Sequence, residues 1–355
     1  MPPTNGESVV SAPDRAAHPT IQGIRARLVT VCLGSVALAL GAMVLAPLAG
    51  STSISLAHAF DLTRPWASNV DAQIFFVARL PRVLAAALVG SALAASGVVF
   101  QALLRNPLAT PFTLGISSGA ALGAMLVLTI GGAFAATTWA AVPAASFAGA
   151  LAAVSIVYAL AAARHRGFST SVLLLAGVTL NSFFSALILM LQYFADMASV
   201  MQTLRWLLGD LDVASYTPIV VALPMLVVAI TAFLVLAPRL NLLSVSIDAA
   251  AMRGVDVVRT QRISCLSASL ATGAAVSIGG PIGFVGIIVP HLVRLIVGPD
   301  HRLALPASLG FGAAFLVACD LVGRTVIAPL ELPVGIVTAV IGGPFFLWLL
   351  VKHAQ

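Results

Sequence analysis

Long apolar runs, separated by short clusters of Gly, Pro and charged residues, dominate the chain from residue 28 onward. Runs such as Leu28–Leu45 and Ile219–Leu236 do not alternate apolar with polar positions. A barrel with a wet lumen needs that alternation, so the runs predict helices. A helix of about 20 residues crosses a hydrocarbon core of about 30 Å. The punctuation predicts about ten spans, near 28–50, 82–104, 112–131, 141–163, 172–194, 214–236, 263–281, 283–298, 304–323 and 334–351. At Ser277–Gly286, Gly279, Gly280 and Pro281 would break a helix and suit either a tight turn or a re-entrant bend. The expected fold class is an all-α polytopic membrane protein, with residues 28–351 as a single transmembrane domain.

Composition agrees with this reading. Of 355 residues, 60% are hydrophobic and only 8% charged, whereas soluble domains carry charge at about a quarter of positions. Such a chain cannot cover itself with a polar surface, so its solvent is lipid. Residues 1–27 are polar and Pro-containing, and the apolar run after them exceeds a signal-peptide core and lacks a clear cleavage site. They read as a disordered cytoplasmic leader before a retained first span. Cys32, Cys265 and Cys319 match no metal-ligand spacing and read as small packing residues.

Charge then sets direction. The net charge of +6 is dispersed between apolar runs, which fits membrane topology better than nucleic-acid binding. An even number of spans puts both termini on one side. With that side cytoplasmic, thirteen of the 18 Lys and Arg residues fall inside, as the positive-inside bias requires. The exceptions are Arg64, Arg79, Arg82, Arg205 and Arg324. Arg79 and Arg82 flank Leu80–Pro81 at the mouth of the second span, and Arg324 ends the ninth on the same side. They could snorkel or pair with Asp71, Asp320 and Glu331; as a group they could instead dock an acidic partner.

The chain lacks chemistry of its own. A P-loop needs a Lys after its glycines, and the sole Lys is Lys352. No His/Cys cluster, G-x-S-x-G elbow or carboxylate pair on a soluble domain occurs. The expectation is a chain that is not an enzyme and holds no cofactor of its own, with any coupling energy supplied by another subunit. His291 and Asp320 are ionisable groups within apolar sequence, read as satisfied polar groups near an interface. Residues 238–262 form the longest internal polar segment and read as a cytoplasmic coupling loop. Asp248 stands near the start of a short helix there, Ala249, Ala250, Ala251 and Met252 favour it, and Gly254 suits its stop. Pro107 and Pro111 hold Arg105–Gly115 in a turning inner connector, and the hydroxyls of Ser169, Thr170 and Ser171 could cap the next span or line a pathway.

Several long strings carry a resemblance. RLPRVLAAALVG at Arg79–Gly90, SGVVFQALLRNPLATPFTLGISSGAALG, GPIGFVGIIVPHLVRL, DHR at Asp300–Arg302 and ELPVGIVTAVIGGPFFLWLL stand in the order seen in the FecCD family of importer permeases. That family serves vitamin B12, ferric-siderophore and haem uptake. The resemblance implies a vitamin B12 permease-like fold of ten spans in the bacterial inner membrane. It further implies a transporter permease working with a second permease copy or close paralogue, two cytoplasmic ATPase subunits that bind ATP and Mg, and a periplasmic or lipid-anchored substrate-binding protein. Arg79, Arg82 and Arg324 fall on arginines that meet glutamates of the binding protein. Asn106 and Leu108 fall at one cytoplasmic constriction, and Ser169, Thr170 and Ser171 at another. Asp248, Ala249, Ala250, Ala251, Met252, Arg253 and Gly254 fall at the ATPase contact, although Ile247 stands where the family commonly has Glu. Family frequency favours a ferric siderophore as cargo, with haem or cobalamin on the same machinery as the alternative and an ATP-independent secondary carrier behind them.

Overall fold

The computed structural model describes residues 21–50, 52–61, 63–130, 141–164, 170–195, 197–213 and 215–353. Helix α1 (Ile21–Leu45) ends in a tight turn at Ala46–Leu48, and the short helices α2 (Leu56–Ala59) and α3 (Val70–Gln73) lead to α4 (Leu80–Leu104). There follow α5 (Ile116–Ile130), α6 (Ala141–Arg164), α7 (Thr170–Tyr193), α8 (Met197–Leu207) and α9 (Thr217–Val245). The short α10 (Ile247–Met252) precedes α11 (Val257–Gly279), α12 (Val285–Val297), α13 (His301–Thr325) and α14 (Val334–His353). No strand occurs among the described residues.

Helix α4 is the axis of the bundle, packed against α9, α11, α12 and α13. In lipid there is no apolar-to-water driving force between helices, so close backbone approach through small residues does the work. A Cβ on Gly90 would lie 2.1 Å from the Gly312 carbonyl oxygen of α13. The SSGAALGA string acts likewise on α5, where a Cβ on Gly119 would meet the Gly149 carbonyl oxygen of α6 at 2.6 Å. Outward faces of α1, α7 and α9 expose Leu33, Leu175, Leu189, Val228 and Val235, which suits a hydrocarbon surround.

Every predicted span falls on a helix, but among the described residues six stretches are both long and apolar enough to cross: Ala26–Leu48, Val70–Leu104, Ala141–Leu160, Val172–Tyr193, Thr217–Val245 and His301–Thr325. Ile116–Thr129, Val285–Val297 and Val334–Leu349 are apolar but shorter. Helix α11 is long but polar, because it faces protein; Ser269 and Thr272 are fully buried and donate to the carbonyls of Cys265 and Ala268 at 2.8 and 2.7 Å.

Three boundaries are corrected. The first helix begins at Ile21, inside the stretch assigned to the leader, because Arg27 does not end it: its guanidinium donates to the Val297 carbonyl at 2.9 Å. Residues 1–20 lie outside the described ones. The second span starts before Arg82, since a π-helical turn at Ile74–Arg79 joins α3 to α4 in one 35-residue helix. The stretch 238–262, expected to be a loop, is helical at its start, because α9 continues through Pro238 to Val245. Asp248 stands in the first turn of α10, near its start as expected, and the cap itself is Ser246, whose hydroxyl oxygen accepts from Ala249 N. Gly254 does stop α10, at φ 76°. The break at Ser277–Gly286 is a turn from Gly279 to Val285, with Gly280 at φ 69° and Phe284 at φ 65°.

Candidate functional site

Two polar sites stand towards opposite ends of α13, about 30 Å apart by helix rise from Asp300 to Asp320. At its C-terminal end, Arg82 Nε donates to Asp320 Oδ1 at 2.9 Å and Arg82 Nη1 to Glu331 Oε2 at 2.5 Å. Arg324, one turn along from Asp320, places Nε 3.0 Å from Asp320 Oδ2. Asp320 is 1% exposed, and in such a dry place the two guanidinium groups that flank it offset the cost of burying its charge. Arg79 reaches the other way, donating to the Pro47 carbonyl at 2.9 Å and to the Thr52 carbonyl. Gly50 makes room for it, since a Cβ there would lie 2.8 Å from Arg79 Nη2.

The three arginines expected at the docking surface are thus together, but they are buried and engaged within the chain. They form the floor of a cleft of about 390 Å³ that Gly50, Thr52, Arg205, Asp212, Leu330 and Glu331 also line. The pairing reading was right for Asp320 and Glu331. Asp71 instead faces His58 at 3.3 Å, and Arg64 pairs with Asp61 at 3.2 Å.

At the N-terminal end of α13, Asn241 of α9 forms a clasp. Its amide donates to Asp300 Oδ1 at 2.7 Å, and its Oδ1 accepts from the His301 backbone N–H at 2.8 Å. His301 Nδ1 lies 2.7 Å from the same oxygen, so the tautomer that fits carries hydrogen on Nδ1. Asp300 caps α13 by accepting from Arg302 N. Burial disfavours its charge, but hydrogen bonds from Arg302 and Asn241 outweigh that and hold its carboxyl at about 2. Sequence reasoning quoted the DHR string without finding this clasp, because the partner lies 59 residues away.

Four residues beyond Asn241, α9 gives way to α10. Ala250 is fully buried and anchors the short helix, whereas Asp248, Ala251, Met252, Arg253 and Gly254 are exposed and Ala249 half-buried. Asn106 Oδ1 accepts from Leu108 N at 2.9 Å, shaping the turn after α4, with both residues half-buried. Ser169 lies outside the described residues; Thr170 and Ser171 open α7 by their backbone, and their side chains lie outside the description. His291 packs edge-on against Phe345 at 5.8 Å between ring centres. No group of three or more metal-ligating side chains occurs among the described residues.

The profile of the FecCD transport family matches residues 37–352, nearly the whole described bundle. The chain belongs to the FecCD transport family. It is therefore a permease subunit of an ABC transporter and not itself the ATPase. The FecCD match begins at residue 37, well before the motif strings, and so takes in the last nine residues of α1. Among FecCD relatives, the cobalamin import system permease BtuC of Halobacterium salinarum is 44% identical over 272 residues, covering 77% of this chain and 72% of that one. The hemin transport system permease HmuU of Yersinia pestis is 39% identical over 280 residues, covering 78% and 83%. A solved inward-facing structure, described as an ABC transporter of metal-chelate type, superposes with TM-score 0.78 at 31% identity over 91% of this chain and 99% of that one.

Proposed function

We propose that this chain is the membrane-spanning subunit of a binding-protein-dependent importer for a chelated metal compound, with cobalamin as the favoured cargo and haem second. The observation that carries the reading is the pairing of two ends: a basic cleft at one, and an exposed short helix, α10, at the other. The names of the cobalamin and hemin relatives support the cargo. They reverse the preference for a ferric siderophore drawn from family frequency.

In this reading α1, α4, α5, α6, α7, α9, α11, α12, α13 and α14 make ten crossings in a bacterial inner membrane. Both termini are cytoplasmic, in keeping with the even number and the Lys and Arg bias. A second copy or close paralogue completes the pathway. Two ATPase subunits, which hold ATP and Mg, bear on Asp248–Gly254, and a periplasmic or lipid-anchored binding protein docks over Arg79, Arg82 and Arg324. Asn106, Leu108 and Ser169–Ser171 lie towards the cytoplasmic gate. ATP-driven movement of α10 rocks the two permease subunits between outward and inward openings.

Vesicles holding the complete transporter, supplied with the binding protein and loaded with ATP, test this. ATP-dependent accumulation of cobalamin is expected, with haem a weaker competitor. Accumulation of a ferric siderophore alone would overturn the cargo. Uptake by the permease without ATPase subunits, driven by a proton gradient, would overturn the importer reading itself.

A further inference from the structure

Four of the five arginines that oppose the charge bias line one cleft, yet they are not equivalent. Arg79, Arg82 and Arg324 are 6%, 7% and 4% exposed. Arg82 and Arg324 share Asp320, and Arg79 is held by main-chain carbonyls. An incoming carboxylate cannot take the place of Asp320 without unpacking α4 from α13. Arg205 differs: it lies in the last turn of α8, is exposed, and among the described residues carries no ion pair or side-chain hydrogen bond. It is the cation of this cleft with its charge unspent.

The two acids on Arg82 are also unlike. The Asp320 side chain is 1% exposed, whereas that of Glu331 is 37% exposed and stands in the irregular segment between α13 and α14. Glu331 can therefore leave Arg82 by rotating its own side chain into water, at the cost of one hydrogen bond that another carboxylate can replace.

We infer that the cleft receives an acidic side chain of the binding protein through Arg205, and that Glu331 is the chain's own stand-in carboxylate on Arg82, displaced when the partner's carboxylate arrives. This rests on the reading above that the binding protein docks at this end. The exposed cation accelerates encounter, because long-range attraction acts on the association rate. The occupied Arg82 contributes only after exchange, which keeps the buried charges compensated in the free transporter. Asp212, also on the lining, sets a repulsive edge that narrows the orientations in which an acidic side chain can enter.

The test uses the complete transporter in lipid nanodiscs and its cognate substrate-binding protein. Arg205→Glu should lower the association rate about tenfold at low salt, with the deficit shrinking as salt screens it, and Arg205→Lys should restore most of the rate. Glu331→Gln should tighten binding several-fold, because the stand-in no longer competes. A change of less than about twofold in the Arg205→Glu rate would overturn the role of Arg205, and unchanged or weaker binding in Glu331→Gln would overturn the exchange. Labelling of Thr52→Cys by a hydrophilic maleimide separates the two levels of argument. Protection by the binding protein with unaltered Arg205→Glu kinetics sinks this inference alone; absence of protection sinks docking at this end altogether.

Discussion

The two ends of α13 solve the same problem by different means. At one end Asp320, Arg82, Arg324 and Glu331 neutralise one another in a dry setting; at the other Asn241 satisfies Asp300 and His301 with hydrogen bonds from a neutral side chain. The buried part of the knot, Asp320 with Arg82 and Arg324, is intolerant of losing a member, because each such loss strands a buried charge, whereas Glu331 at its exposed edge can leave. The clasp can open and close at the cost of a few hydrogen bonds. A knot suits a surface that must keep its shape when a partner arrives. A clasp suits a joint that must give, and it lies beside α10.

The sharpest way to break this contrast is Asp320→Leu. It strands Arg82 and Arg324 and should cost about 3–5 kcal/mol, read as a large fall in melting temperature of the purified protein. Gly90→Ala acts midway between the ends by forcing α4 away from the Gly312 carbonyl. A loss of about 1–3 kcal/mol is expected, with both ends disturbed together. Asn241→Ala should cost about 1–2 kcal/mol and, unlike the first two, should raise ATP hydrolysed per substrate imported in vesicles. Unchanged coupling would show the clasp to be a passive strut. Arg302→Ala removes only an exposed partner of Asp300 and should cost less than about 1 kcal/mol.

The clasp also has a pH signature. With its carboxyl held at about 2, below the ordinary aspartate value of 3.8, Asp300 stabilises the fold at all pH values above that ordinary one and loses the contribution as pH falls towards about 2. Melting of Asp300→Asn and of the unaltered protein should therefore differ by a constant amount from pH 7 to 5 and converge below pH 4.

Fold class was legible because a lipid-facing helix must be apolar along its whole length, and Leu28–Leu45 or Ile219–Leu236 can be little else. Boundaries were less so. Pro238 followed by Arg239 has the composition of a helix end, yet packing carries α9 through it. The arginine cluster was visible as a breach of the charge bias, but its interior character was not. Whether Arg82 faces water or Asp320 depends on a contact across 238 residues of sequence, and no local pattern encodes it. Arg205 was marked by the same bias and passed over for want of a motif.

Helix α9 has a consequence for how force travels. Its 29 residues measure about 43 Å against a hydrocarbon thickness of about 30 Å, so roughly 13 Å stands clear of the core. Pro238 lies about 33 Å along it and leaves the Leu234 carbonyl without its usual helical donor. The rung is thus missing towards the Val245 end, where bending is cheap; Pro224 leaves a second such gap about 11 Å from the Thr217 end. Pro238–Val245 is a lever about 12 Å long, with Asn241 near its fulcrum and α10 at its tip. A push on the tip reaches the fulcrum shortened in travel and multiplied in force, a ratio suited to prising open a clasp made of hydrogen bonds.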